Sequence, residues 1–265
     1  MEPRIYLVVG SAFTGKTTFA LGSDPEDEID YFELEPGGWR RAHIGIKHPD
    51  RITIHRHRIP KTDLDDLGEV VIGQKGGIAP RPAHKLEGWV DVYNAIRSEY
   101  VKGLSGKARP VIDTSTRLWL IIRQAWLEQM QNATGNALAS MEQLKYTATN
   151  ARMAQFVEKA EDFNKPLVLI AHEDRDFETK ELKQDGYKDL PGMADVTLRF
   201  TIENNRPVAE IWKLGEGGPD MLKRKIVEPT IEKVNALLEG AAKIRALGMA
   251  LPDSNDELLA LAEAL

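Results

Sequence analysis

LVVGSAFTGKTTFA, residues 7–20, passes from a continuous apolar run through a glycine-bounded loop into a segment of helical character. Ile5 to Val9 carry no polar residue, the pattern of a strand buried on both faces. Gly10-Ser11-Ala12-Phe13-Thr14-Gly15-Lys16-Thr17 then fits the full phosphate-loop pattern, which sits where it must, after a strand and before a helix. Each fixed position has a physical task. Gly10 lets the chain turn sharply out of the strand, and Gly15 lets backbone approach phosphate with no Cβ in the way. The amides of residues 13–17 point inward, and the helix start that follows adds partial positive charge. Lys16 reaches the β- and γ-phosphates, while the Thr17 hydroxyl takes a Mg²⁺ position. Residues 10–17, with Thr18 continuing into the helix, are therefore the expected binding set, and ATP with Mg²⁺ the expected cofactors.

The remaining composition narrows what such a loop can serve. With 265 residues the chain is long enough for a substantial core. The absence of cysteine excludes disulfides, thiolate catalysis and thiolate-bound metals. A net charge of −6 argues against a strong duplex-DNA binder, though not against local contacts to single strands. The longest apolar runs, IYLVV and LVLIA, suit buried strands and not membrane spans, so a cytoplasmic setting is expected.

Strand-like runs recur between helical ones: IDYFELE at 29–35, RITIHRH from Arg51, Val111 to Asp113, KPLVLIAHE, and a hairpin around Asn204-Asn205. Helical patterns fall on LEGWVDVYNAIRSEYVKGL, TRLWLIIRQAWLEQM and ARMAQFVEKAEDF. This alternation predicts an α/β fold whose mainly parallel sheet is covered by helices on both faces. Residues 1–229 are expected to form the core and 230–265 a helical C-terminal extension.

Three further positions complete the expected site. Asp113 ends a buried strand, where an acid is costly unless solvated or paired, and suits a Mg²⁺ held through water. Thr114 follows it, so there is no adjacent second acid to act as base. Glu33 and Glu35 lie two apart and are expected on one side of their strand. Glu35, nearer the ligand-binding edge, is assigned to polarising the attacking water, with Glu33 as runner-up. His172 leaves another apolar strand, where it can contact the γ-phosphate or its water and inform the long polar loop 173–194. The expected catalytic residues are Lys16, Glu35, Asp113 and His172.

Taken together, GSAFTGKTT, FELEPGG, VIDTST, LVLIAHEDRDF and LPGMADVTLRF resemble the RecA-like P-loop ATPases of bacteriophages that are associated with single-strand annealing recombination. The resemblance covers roughly residues 4–215. It implies a three-layer RecA-like fold, Glu35 as the catalytic acid, Asp113 as the magnesium-associated one and His172 as the sensor. It also implies a host-cytoplasm setting and coupling of hydrolysis to DNA recombination. Some such proteins assemble so that a neighbour supplies a positive residue; Lys213, Lys223, Arg224 and Lys225 are the candidates, and a homo-oligomer is expected. Ile5 already opens the first strand, so no N-terminal polymerisation segment is expected.

Rival readings share the same loop. A packaging or helicase-loading ATPase would reuse the hydrolysis core. A nucleotide-gated interaction module would use His172 as a switch. A small-molecule or nucleotide kinase would need a basic lid, for which Arg175 and Lys180 are available. His55 and His57 read as a solvated strand face, with no nearby acid to complete a zinc site. Trp119 and Trp126 read as core packing. Loops 68–85 and 173–194 are the expected single-strand contacts, the first through Lys75, Arg81 and Lys85.

Overall fold

Every residue of β1 (Ile5–Gly10) is buried, and its side chains alternate between two hydrophobic clusters. Ile5, Leu7 and Val9 enter one; Tyr6 and Val8 enter the other. A strand buried on both faces is central, and the computed structural model places it so. It describes residues 5–22, 27–60, 86–135, 146–175, 182–214 and 218–265. Lys75, Arg81, Lys85, Lys180 and the side chain of Arg175 lie outside the described residues, as does the middle of the 173–194 segment.

The other strands are β2 (Ile29–Glu33), β3 (Ile52–Arg56), β4 (Arg109–Asp113), β5 (Leu167–Arg175), β6 (Leu182–Gln184), β7 (Val196–Glu203), β8 (Arg206–Leu214) and β9 (Lys225–Val227). They form one sheet in the order β3-β2-β4-β5-β1-β7-β8-β9, with β6 paired to β5. From β3 to β7 the neighbours on this path run parallel; β8, β9 and β6 pair antiparallel.

One face is covered by α3 (Trp89–Leu104), α4 (Ser115–Thr134) and α5 (Tyr146–Asp162), with the short α6 (Leu190–Met193) beside them. The other is covered by α1 (Lys16–Leu21), α2 (Gly38–Ala42), α7 (Ile231–Ala246) and α8 (Asn255–Ala264). This is the three-layer α/β arrangement, a mainly parallel sheet covered by helices on both faces, expected from the sequence. Local chemistry sets the helix starts: Thr114 caps α4 by accepting from the Arg117 amide, and Thr230 caps α7 by accepting from the Lys233 amide.

The C-terminal extension is helical, but it is not a mere appendage. Val234, Leu237, Ala241 and Ile244 of α7 are buried in the same cluster as Tyr6 and Val8, and the Tyr6 hydroxyl donates to Asn235. The described parts of the polar 173–194 segment carry regular secondary structure. Residues 173–175 pair with 182–184, and α6 follows.

Two expectations about side chains need correction. His55 and His57 do not form a solvated face. His55 Nε2 lies 2.8 Å from Asp30 and its Nδ1 2.9 Å from Glu99, which also stands 3.2 Å from His57. Neither acid is near in sequence; the parallel β2–β3 pairing and the packing of α3 deliver them. Trp119 is a core residue packed on Tyr187, whereas Trp126 is only half-buried.

Candidate active site

The register of the parallel strands brings the expected residues to one sheet edge. Gly10 pairs with His172, and Glu33 with Asp113. Beyond these strand ends lies a cleft of about 410 Å³ lined by residues 12–18 together with Glu35, Gly38, Arg41, Ala42, Asp113, Thr114 and His172. A second, more apolar cleft of about 290 Å³ adjoins it through Gly15 and Thr18, and is walled by His48, Phe200 and Pro207.

At the loop itself Gly15 has φ 91°, a left-handed backbone that favours glycine, and no side chain caps α1. The Lys16 ammonium turns inward, donating to the carbonyl oxygens of Gly10 at 2.7 Å and Ser11 at 2.5 Å. Burial lowers its pKa, against the opposing pull of Asp113, Glu173 and Glu35. The Ser11 hydroxyl donates to Glu173, which also accepts from Arg199 at 3.0 Å, so the loop is tied to β5 and β7.

Asp113 is almost fully buried. Its Oδ2 accepts from the Thr17 hydroxyl at 2.9 Å and from the Tyr31 hydroxyl at 2.7 Å. Burial pushes its pKa up, and the two hydroxyls only partly oppose this. A buried carboxylate short of positive charge, touching the loop threonine, is a donor set that a Mg²⁺ carrying phosphate and water ligands would complete. The residues fit the ion. Among the described residues no cluster of three or more His, Asp and Glu side chains could hold a metal unaided.

Glu33 and Glu35 do not share a side. The strand ends at Glu33, and the amides of Leu34 and Glu35 both turn toward the Asp113 carbonyl, at 2.7 and 3.3 Å. Glu33 is buried, accepting from the Trp39 amide at 2.8 Å and from Arg56 at 2.5 Å. Its role in the geometry is to hold α2. Glu35 instead faces the cleft, accepting from the Thr114 hydroxyl at 2.9 Å and lying 2.9–3.0 Å from His172 Nε2. Burial raises the Glu35 pKa, but His172, Thr114 and Arg117 outweigh it and hold the carboxylate below its usual range. His172 is raised, chiefly by its hydrogen bond to Glu35 and against burial.

Helix α2 closes over this arrangement because residue 38 is glycine. A Cβ there would collide with the Tyr31 hydroxyl and stand 3.0 Å from Asp113 Oδ2. Tyr31, Gly38, Arg41 and Glu173 were not singled out in the sequence, since strand register and the folding back of α2 bring them here. Thr114 was noted only as the non-acid after Asp113, and its contact with Glu35 shows only in the fold.

The proposed donors to a neighbour sit elsewhere. Lys213 donates to the carbonyls of Pro191, Gly192 and Ala194 at 2.5–3.0 Å, closing the end of α6. Arg224 holds the segment before α8 through Pro252, Asp253 and Asn255, and Lys225 pairs with Glu203. Among the described residues the Lys223 side chain makes no such contact. No helix of the described residues is long and apolar enough to cross a membrane.

Comparison with known proteins adds a family. No curated protein matches the chain. Among solved structures similar to it is one titled "Crystal structure of the RadB recombinase", at 15% identity, covering 85% of this chain and 87% of that one, with a TM-score of 0.47. A family model described as an AAA domain (AAA_24) matches residues 2–230. With a phosphate loop, a buried acid and a facing glutamate at one sheet edge, and that match across most of its length, the chain belongs to the AAA_24 family of AAA domains.

Proposed function

We propose that the chain binds ATP with Mg²⁺ in the 410 Å³ cleft and hydrolyses it, and that hydrolysis serves transactions on single-stranded DNA of the kind used in phage recombination. The observation that carries hydrolysis is Glu35. It is a carboxylate on the cleft wall, held there by Thr114 and His172, whereas Glu33 is turned to Arg56 and the start of α2.

Thr17 and Asp113 would hold the Mg²⁺, which when bound neutralises charge on the phosphate oxygens. Lys16 exchanges its two loop carbonyls for phosphate oxygens. The nucleoside end extends past Thr18 into the adjoining apolar cleft, because Asp113, Glu35 and His172 occupy the opposite end. Glu35 takes a proton from a water whose oxygen bonds to the γ-phosphorus as the bond to the β-phosphate oxygen breaks. That oxygen leaves with the electron pair on ADP. His172 positions Glu35 and lies on the strand that runs on into the β5–β6 pair, so a change at the phosphate reaches that segment.

Glu35→Gln tests the assignment. It retains nucleotide and loses phosphate release by about 100-fold or more, the span of a general base. Normal turnover by that variant would sink the role of Glu35. The DNA partner and self-association are carried from the sequence resemblance. Both are tested by sedimentation with a non-hydrolysable ATP analogue, with and without a fluorescent single strand at low salt.

A further inference from the structure

Among the described residues the cleft wall carries one cation with no hydrogen bond or ion pair, the exposed guanidinium of Arg41. It lies 5.7 Å from the centre of the Phe13 ring. It also folds so closely over Gly37 that a Cβ there would stand 3.0 Å from Arg41 Nη1. Its charge is felt at the Tyr31 hydroxyl, the group bonded to Asp113.

Phe13 is as unusual as its partner. It stands at the tip of the phosphate loop with 81% of its surface exposed and φ 64°, a backbone that a bulky residue rarely adopts. Burial cannot explain a phenyl ring held into solvent at that position. What the ring does is face a guanidinium.

We propose that Arg41 is a phosphate-contacting residue of the chain's own site: it rests on Phe13 when the cleft is empty and moves onto the terminal phosphate when a nucleoside triphosphate enters. This rests on the nucleotide reading above. The direction follows from relative strength. An exposed cation–π contact is weak, whereas a planar guanidinium on phosphate forms paired, charge-assisted hydrogen bonds. The short α2 that carries Arg41 is joined to Glu35 by Pro36 and Gly37, so the arginine and the base travel on one segment. The site thus supplies its own arginine, with no need of one from a neighbouring copy.

The test compares fluorescent ADP with the fluorescent β,γ-imido analogue of ATP, both with Mg²⁺, on wild type, Arg41→Ala, Arg41→Lys and Phe13→Leu. Arg41→Ala weakens the triphosphate analogue by about 10- to 100-fold, the range set by losing a charge-assisted hydrogen bond, and leaves ADP within about threefold. Arg41→Lys recovers part of the loss. Phe13→Leu removes the resting place but also alters the phosphate loop, so it is read through the ratio of the two nucleotides. It keeps the wild-type preference for the triphosphate analogue over ADP or raises it by up to about fivefold, and a preference lost with Phe13 would overturn the resting contact. Thermal unfolding of Arg41→Ala without nucleotide matches wild type. Mixing Arg41→Ala with Lys16→Ala restores no phosphate release, because neither chain can lend the missing group. Restored release would overturn the own-chain assignment. Wild type that binds both nucleotides while Arg41→Ala keeps its preference would overturn the role of Arg41 alone. Wild type that binds neither would overturn the nucleotide reading, and this proposal with it.

Discussion

Gly38→Ala is the smallest change that should disturb both the fold and the metal position. Its added methyl would overlap the Tyr31 hydroxyl, stand 3.0 Å from Asp113 Oδ2 and 3.6 Å from Glu33 Oε1. Tyr31 is fully buried and cannot swing aside. Either α2 lifts, or Tyr31 surrenders its 2.7 Å bond to Asp113. Overpacking alone costs about 1–3 kcal/mol. Losing a hydrogen bond to a buried carboxylate adds about 1.5–3 kcal/mol where that route is taken. The variant should therefore be about 1–3 kcal/mol less stable than wild type if α2 lifts, and about 2.5–6 kcal/mol if the Tyr31 bond is lost as well. Asp113, already pushed up by burial, would lose one of the two hydroxyls that hold it down, so Mg²⁺-dependent nucleotide binding should weaken too. Tyr31→Phe relieves the overlap by deleting the oxygen. In a double-mutant cycle followed by urea unfolding, the pair should cost less than the sum of the singles by about 1–2 kcal/mol. Additivity within about 0.5 kcal/mol, or a Gly38→Ala protein as stable as wild type, would refute the steric argument.

The Glu35–His172 pair makes hydrolysis depend on pH. Its stabilisation on the histidine side is full below the ordinary 6.5 and is lost as pH rises through the raised pKa of His172; on the glutamate side it is full above the ordinary 4.5 and is lost as pH falls through the lowered pKa of Glu35. Lys16, Asp113 and Arg117 also act on the pair and should move both limbs. Above pH 6.5, as the imidazole loses its proton, Glu35 is released toward water and kcat/KM for ATP should climb; a flat profile, or a climb that survives in His172→Gln, would count against this. Glu33→Gln should lower stability by about 1–3 kcal/mol as the Arg56 pair with β3 is broken, while its remaining oxygen still accepts from the Trp39 amide of α2 and turnover per folded molecule persists. Lys213→Met should cost about 1–3 kcal/mol in urea unfolding by stripping three carbonyls of their donor, with hydrolysis intact. Unchanged stability with lost hydrolysis would instead return Lys213 to a role at a neighbour's site.

What could be read from the sequence was what is contiguous in it. The phosphate loop is one unbroken segment, so its strand, glycines, lysine and threonine were legible together. The acids around His55 were not. Asp30 and Glu99 lie 25 and 44 residues away, and only strand pairing and the seating of α3 deliver them. Arg41, Tyr31 and Glu173 escaped notice for the same reason. The choice between Glu33 and Glu35 was half legible, because alternation assigns both to one face unless the strand ends between them.

Strand order favours Glu35 in that choice. β4 lies between β2 and β5, so a carboxylate on β2 stands two strand spacings, about 10 Å, from the strand that carries His172. Glu33, in register with Asp113, is still within the sheet and can reach only its neighbours, Arg56 on β3 and the start of α2. To meet His172 a glutamate must come after the strand has ended and cross above β4. The bend at Leu34, held by the Asp113 carbonyl, does this, and Thr114 at the end of β4 is the residue Glu35 touches on the way. A glutamate two residues past the strand is thus what this sheet order requires for contact with His172, one at position 33 is what it forbids, and this supports the proposal that Glu35 is the base.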